Sequence, residues 1–308
     1  MNWFEIFQDP NTQWILLGTM LLGLSSGVIG SFAYLRKQSL MGDALAHAAL
    51  PGVCIAFMLT GTKSIFFFLI GAIVAGIVAT FMIGYITRNS RIKQDSALGL
   101  ILTVFFGFGI VLLTQIQHSD SGNQSGLDKF LFGQAASMVQ SDVYTMTMIS
   151  IILVKLSILL FKEFKLLSFD PGFAKGIGLP TLILDQFIML LIVTAVVVGI
   201  QAVGVVLMAA LLITPAVAAR YWTEKLHIMV IMSGIFGALS GFTGTIISTT
   251  ANNLPTGPLV VLSATVIFLF SVVFAPRRGV IAKSLMQLSA RKNYNKQYTS
   301  QKVKEKSL

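Results

Sequence analysis

The stretch SLMGDALAHAALPG, residues 39–52, places an aspartate and a histidine, Asp43 and His47, in a run that is otherwise small and apolar. On an α-helix the two side chains share one face, one turn apart. A carboxylate and an imidazole at this spacing can bind a divalent transition metal such as Mn(II), Fe(II) or Zn(II). They fill only part of a coordination shell, so a neighbouring helix, a second subunit, backbone carbonyls or water must supply the other ligands.

The spacing alone leaves two other interpretations of the pair open. It can be a structural hydrogen bond between two polar side chains, or a proton relay in a secondary transporter. Gly42 and Pro51 flank the pair and loosen the helix, as in the interrupted helices that often bind substrate in transporters. Cys54 falls on the same face, eleven residues after Asp43, and is a possible minor metal ligand, although a packing role is the simpler expectation.

Other chemistry-bearing motifs are weak or missing from the sequence. Gly23–Gly27 reads GLSSG and matches G-x-S-x-G, but a hydrolase needs this motif on a strand–turn–helix elbow, whereas here it lies in an apolar helical run. His118 and His227 are expected at surfaces or interfaces. The sequence contains no G-x-x-x-x-G-K-[ST] motif. If ATP drives this protein, another subunit must therefore bind the nucleotide.

The elements that carry these residues are predicted to be membrane spans. Of the 308 residues, 55% are hydrophobic and 11% charged, against about 25% charged in a soluble domain. Uncharged apolar runs of about 20 residues indicate membrane-spanning helices. We predict nine of them, near residues 14–35, 40–60, 65–87, 96–116, 139–161, 181–199, 203–220, 228–250 and 258–275.

One boundary among these spans depends on length. Residues 186–219 contain 34 uncharged residues in a row. One straight helix of that length would measure about 50 Å, well beyond a hydrocarbon core of about 30 Å. We therefore predict a break between Gly199 and Gly204. Elsewhere, Gly23 with Gly27 and Gly237 with Gly241 are small-xxx-small pairs, which allow helix backbones to approach closely in a membrane.

Charge placement predicts the orientation. With nine spans, the basic loops fall on one side, which is the cytoplasm by the positive-inside rule; the N-terminus is then outside and the C-terminus inside. The chain divides into a transmembrane domain, 1–279, and a tail, 280–308, expected to be basic, cytoplasmic and mostly disordered. From residue 277 on there are nine Lys or Arg against one Glu. The sequence shows neither a nucleic-acid-binding domain nor a basic face that could bind nucleic acid.

Residues 39–52 resemble the most characteristic segment of the metal-cation permeases of bacterial ATP-binding-cassette (ABC) uptake systems, whose usual form is close to S-L-x-G-D-A-L-S-H-A-x-L-P-G. FDPGFAKGIGLP, residues 169–180, is similar to the cytoplasmic coupling segment of that family. VGVVLMAALLITPAVAAR, residues 203–220, is similar to a later span. The likeness runs from about residue 13 to 279, with Ala46 at a position where the family commonly has serine.

The resemblance implies an all-α polytopic integral membrane protein with about nine (eight to nine) transmembrane helices, a type II-like ABC importer permease. It implies that Asp43 and His47 bind metal. It also implies a bacterial cell membrane location and three partners: an ATP-binding-cassette ATPase subunit, an extracytoplasmic metal-binding protein, and a second permease copy or paralogue. The residues implied in ATPase coupling are Phe169, Asp170, Pro171, Gly172, Phe173, Ala174, Lys175, Gly176 and Gly178.

The coupling segment can also be interpreted from its own residues. It lies in the longest internal cytoplasmic loop of the predicted topology. Asp170 and Pro171 are a good helix start, because Asp caps the first turn and Pro fits within it. Gly176 or Gly178 can end the helix. Such a helix could contact an ATPase subunit. It could instead lie at the membrane interface and only hold the helix bundle in position.

These observations predict the permease subunit of an ATP-driven importer of divalent transition metals, without catalytic residues or a permanently bound cofactor. A site of oxygen and nitrogen ligands without thiolate favours manganese over zinc or iron. A proton-coupled secondary metal carrier is the main alternative from another class, and a structural membrane protein is a third.

Overall fold

A computed structural model of the chain describes residues 10–61, 65–118, 140–250, 254–276, 278–284 and 286–287. Within these ranges all regular structure is helical. The main helices are α1 Pro10–Leu35, α2 Ser39–Thr60, α3 Ile65–Asn89, α4 Gln94–Gln117, α5 Gln140–Leu159, α6 Phe161–Phe169, α7 Pro171–Gly176, α8 Thr181–Val203, α9 Val205–Trp222, α10 Leu226–Thr250 and α11 Thr256–Phe274. Most of the predicted tail lies outside the described residues, so its disorder stays a prediction.

The helices are those of a polytopic membrane protein. Eight of them, α1 to α5, α8, α10 and α11, are long and apolar enough to cross a membrane. A ninth, α9, is a shorter apolar helix, and α6 and α7 are short segments between α5 and α8. The prediction of an all-α protein with eight to nine spans is confirmed.

The predicted break in the long apolar run lies at Gly204. Helix α8 ends at Val203 and α9 begins at Val205. Gly204 has φ 90°, a backbone conformation that residues with a Cβ rarely adopt. The two helices then pack closely, because a Cβ placed on Gly199 would lie 2.0 Å from Sδ of Met208. The chain therefore forms two helices here where a single one would be too long for the bilayer.

Helices α1 and α10 cross at the glycine pairs noted in the sequence. A Cβ on Gly23 would lie 2.1 Å from the carbonyl oxygen of Gly237. One turn further, the Ser233 hydroxyl donates a hydrogen bond of 2.7 Å to the carbonyl oxygen of Gly27. At the other end of the crossing, the hydroxyls of Thr19 and Thr245 lie 2.8 Å apart. Close backbone contact and interhelical hydrogen bonds are the forces that join helices in lipid.

The helix that carries Asp43 and His47, α2, is enclosed on three sides. Gly52 meets α3, where a Cβ would lie 2.1 Å from the carbonyl oxygen of Gly71. Gly42 meets the Leu212 side chain of α9. The Leu50 side chain packs against Gly109 of α4. These contacts fix the rotation of α2 about its axis and hence the direction in which its polar pair points.

Candidate functional site

Asp43 and His47 lie one turn apart on α2, with Nε2 of His47 3.6 Å from Oδ1 of Asp43. This separation is too long for a hydrogen bond. Two metal–ligand bonds of about 2.1 Å that meet at a tetrahedral angle separate their ligand atoms by about 3.4 Å. A single ion would therefore fit between the two atoms with little movement, and the geometry favours a shared ion over a direct structural hydrogen bond.

The His47 ring is oriented by packing. It meets the ring of Phe106 on α4 edge to face, with centroids 4.8 Å apart and planes at 78°. Its other nitrogen, Nδ1, is buried and has no hydrogen-bond partner among the described residues. Metal-binding histidines usually fix their orientation through a hydrogen bond from that second nitrogen. The ring of His47 is instead restrained by its contact with Phe106.

The described part of the chain offers two side chains to a metal at this place. No group of three or more His, Cys, Asp or Glu residues within it is close enough to hold an ion. Cys54 is buried, and its Sγ contacts the carbonyl oxygen of Gly109 at 3.8 Å. Cys54 therefore faces α4 and does not join Asp43 and His47 in a cluster of three, which agrees with the packing role expected of it.

The Asp43–His47 pair lies on a partly exposed stripe of α2. The Asp43 side chain is 43% exposed and that of His47 19%, and Leu40 on the same stripe is also exposed. The residues on the other sides are fully buried: Met41, Leu45, Ala46 and Ala48. A carboxylate facing lipid is costly. This stripe therefore requires water or another protein chain opposite it.

The short helix predicted within residues 169–180 is present as α7. Oδ1 of Asp170 accepts a hydrogen bond of 2.9 Å from the backbone N–H of Phe173, and Pro171 is the first helical residue. Beyond the helix, the N–H of Gly178 donates to the carbonyl of Lys175, and that of Leu179 to the carbonyl of Ala174, both at 3.1 Å. This Schellman turn places Gly178 in the left-handed region, at φ 86°.

Three large apolar side chains are exposed on and beside α7. Phe169, Phe173 and Ile177 follow each other at a spacing of four residues, and each is more than half exposed. Ala174, in contrast, is fully buried. Large exposed apolar side chains are suited to contact with another protein or with the membrane. We call these three residues the coupling patch.

The two histidines expected at surfaces, His118 and His227, are both exposed.

Two features near the site were missed by the sequence analysis. Phe106 is one of 23 phenylalanines, and nothing in its sequence context distinguishes it. The other is an ion pair between Arg36 and Asp185. Asp185 is the sole charge between Lys175 and Arg220, and a lone carboxylate at the start of an apolar span is the signal that could have identified it.

Residues 8–275 match the model of the ABC 3 transport family. The manganese transport system membrane protein MntC of Bacillus subtilis (strain 168) is 56% identical over 295 residues, which are 96% of this chain and 68% of that protein. The zinc transport system membrane protein TroC of Treponema pallidum (strain Nichols) is 46% identical over 277 residues, 90% of this chain and 93% of that one.

Among solved structures, PsaBC from Streptococcus pneumoniae in complex with Fab is similar to this chain with a TM-score of 0.79 and 34% identity. The similarity covers 89% of this chain and 95% of that one. Both the sequence and the helix arrangement are therefore shared over most of the length.

Proposed function

The chain belongs to the ABC 3 transport family, and we propose that it is the membrane-spanning permease subunit of an ATP-driven importer of divalent transition metal ions, chiefly manganese. Residues 8–275 carry the family match. The Asp43–His47 pair is the single observation that supports a role in passing metal ions. Nε2 of His47 and Oδ1 of Asp43 are 3.6 Å apart, and both side chains are partly exposed.

A second permease copy, or a paralogue, covers the partly exposed stripe of α2. In a symmetric dimer the same surface of each copy faces the other. Two copies of the pair would then supply four ligands, two carboxylates and two imidazoles, around one ion. This arrangement accounts for the exposure of Asp43 and for the lack of a third ligand within the described residues. Backbone carbonyls or water would complete any larger shell.

Manganese is proposed first because of the ligand types and the relatives. Carboxylate and imidazole without thiolate suit Mn(II), but they also suit Zn(II) and Fe(II). The Bacillus relative is named for manganese and the Treponema relative for zinc. Zinc binds more tightly than manganese in almost any such site. Selection must therefore come from site geometry and from the protein that delivers the ion.

The ion's path and energy source need partners. An extracytoplasmic metal-binding protein delivers the ion, and a separate ATP-binding-cassette ATPase hydrolyses ATP, since the sequence lacks the phosphate-binding motif. The ATPase docks on the coupling patch of α7. The orientation follows from basic residues at cytoplasmic helix ends, with Arg88 in the last turn of α3 and Arg220 in that of α9. The N-terminus is then outside and the C-terminus cytoplasmic.

Membership in an ABC transport family favours this function over a proton-coupled carrier. In a carrier, Asp43 and His47 would relay protons and uptake would follow the proton gradient. In an ATP-driven importer, uptake continues when the gradient is collapsed and stops when ATP is depleted. Measuring uptake under both conditions separates the two functions.

The experiment that tests the function measures uptake of Mn, Zn and Fe in competition, in cells that lack the native gene. Asp43→Ala and His47→Ala, made separately, should abolish uptake while the protein remains in the membrane. Cys54→Ala is the matched control, because Cys54 lies on the same helix and contacts the backbone of Gly109. Normal uptake in both site variants would disprove the metal site.

A further inference from the structure

An ion pair joins two helix ends at the predicted cytoplasmic side. Nη2 of Arg36, just after α1, lies 2.5 Å from Oδ1 of Asp185, in the second turn of α8. The Arg36 side chain is 14% exposed and that of Asp185 24%. The other terminal nitrogen of Arg36, Nη1, is buried without a hydrogen-bond partner among the described residues. Asp185 is therefore the counter-charge of Arg36 there.

One partner of the pair is connected directly to the coupling helix. Asp185 follows Gly178, the turn residue after α7, by seven residues. The turn is held by the hydrogen bonds of the Gly178 and Leu179 N–H groups. Any displacement of α7 by an ATPase therefore reaches the start of α8 through a short, hydrogen-bonded connection.

The other partner is connected directly to the metal pair. Arg36 precedes Asp43 by seven residues. The turn between α1 and α2 is tight, because the Gln38 N–H donates to the Ala33 carbonyl at 2.9 Å and that of Lys37 to the Tyr34 carbonyl at 3.0 Å. Lys37 itself has φ 58°. A shift of Arg36 is therefore transmitted to the start of α2.

Aromatic packing keeps the same helix ends together. The Phe32 ring, one turn before Arg36, packs edge-on against Phe164 of α6 with centroids 5.4 Å apart. Phe164 in turn lies 6.4 Å from Phe187 of α8. The end of α1, the helix α6 and the start of α8 thus form one packed unit next to α7.

Stability alone does not account for a charged pair at this place. Taking two charges out of water is costly, and well-packed apolar residues of similar volume are often as stabilising or more so. What the ion pair adds is a directional link between two specific atoms on two different helices.

We propose that the Arg36–Asp185 ion pair transmits the movement of the coupling helix α7 to the metal-bearing helix α2, so that ATP hydrolysis and metal release are coupled. This inference rests on the proposed function. Arg36 and Asp185 are positioning residues, because they act through α8 and α2 and do not contact the metal.

The test uses the permease purified with its ATPase subunit and reconstituted in liposomes, and measures the manganese transported per ATP hydrolysed. Arg36→Met with Asp185→Leu removes both charges and keeps apolar packing, so the double variant should fold. We expect its ratio to fall about tenfold, with manganese binding to the solubilised complex unchanged. The reciprocal swap, Arg36→Asp with Asp185→Arg, should restore much of the ratio.

The matched control is the ion pair between Arg278 and Glu224, whose atoms lie 3.3 Å apart and whose side chains are about half exposed. Arg278→Gln with Glu224→Gln should leave the ratio at the wild-type value. A wild-type ratio in the apolar double variant would overturn the inference. A second result would also overturn it: the apolar double variant loses both manganese binding and membrane abundance, and the reciprocal swap does not restore them. This result would indicate that the ion pair has a purely structural role.

The outcome is separable from a failure of the proposed function. If the wild-type complex transports no metal, or if Asp43→Ala binds manganese normally, the proposed function fails. If the wild-type complex transports manganese in dependence on Asp43 and the apolar double variant keeps its ratio, this inference alone fails.

Discussion

The rings of Phe106 on α4 and His47 on α2 form a T-shaped contact, with the centroids 4.8 Å apart and the planes at 78°. This contact orients an imidazole whose Nδ1 has no hydrogen-bond partner among the described residues. The proposed metal ligand is therefore held by a residue of a neighbouring helix, and the geometry of the site depends on how α2 and α4 pack.

Phe106→Leu should weaken metal binding without abolishing it. An aromatic contact of this kind contributes about 0.5–1.5 kcal/mol, which corresponds to about two- to tenfold in affinity. The apparent KM for manganese uptake should rise by that factor, with the maximal rate little changed. Phe108→Leu is the control, because Phe108 is an exposed residue of the same helix. Equal KM values in the two variants would show that Phe106 does not orient the ligand.

Gly23→Ala and Gly237→Ala should each destabilise the protein. A Cβ at either position would lie 2.1 Å or less from the carbonyl oxygen of the other glycine, so the backbones of α1 and α10 would have to separate. Overpacking of this kind costs about 1–3 kcal/mol or more. Thermal unfolding in detergent should occur several degrees lower. Gly99→Ala and Gly107→Ala have open space around the added carbon, and since Ala favours a helix more than Gly does, they should not unfold at a lower temperature than the wild type.

Gly178→Ala should disturb the coupling segment more than Gly178→Asn. Gly178 has φ 86°, and a left-handed conformation costs about 1–2 kcal/mol for a residue with a Cβ, although Asn adopts it more readily. The measurement is the amount of ATPase subunit that co-purifies with the permease. Less recovery for Ala than for Asn is expected; identical recovery of wild type and both variants would mean that the turn does not contribute to docking.

Phe173→Ser should reduce ATPase docking through the loss of apolar contact. Phe173 is 57% exposed at the centre of the coupling patch, and burying a large apolar side chain contributes about 1.5–3 kcal/mol. Recovery of the ATPase subunit should fall by about an order of magnitude or more, whereas Phe173→Leu should keep most of it. A serine variant that binds the ATPase normally would place the docking surface elsewhere.

Removal of residues 285–308 should leave metal uptake largely unchanged. The proposed ligands and the coupling patch all lie before residue 178, and the removed segment is basic and polar. Such a segment is expected to interact with anionic headgroups at the membrane surface. A truncated protein that is present in the membrane but inactive would show that the tail takes part in transport.

Much of the architecture was predictable because the signals are local. A span is recognised from a run of apolar residues, and the break at Gly204 from a run too long for the bilayer. Asp43 and His47 share a face because of the helical period. The start of α7 follows from Asp170 and Pro171, whose capping chemistry acts within one turn.

Contacts between distant residues could not be predicted in the same way. The sequence contains two glycine pairs, but neither pair predicts that Gly23 contacts Gly237, because that contact depends on the crossing of α1 and α10. The aromatic partner of His47 and the ionic partner of Arg36 are likewise decided by helix packing. The partner of a charged or aromatic side chain depends on how the helices that surround it pack together.

The sequence by itself determined that this chain crosses the membrane repeatedly and carries a carboxylate and an imidazole one helical turn apart, because both properties arise from short-range periodicity. Only the tertiary structure decided that the pair stays partly exposed, with its atoms 3.6 Å apart, because α3, α4 and α9 pack around α2 and Phe106 of α4 contacts the His47 ring. Residues 39–52 supply the side chains of the proposed site, and the helices packed around them determine the direction in which those side chains point.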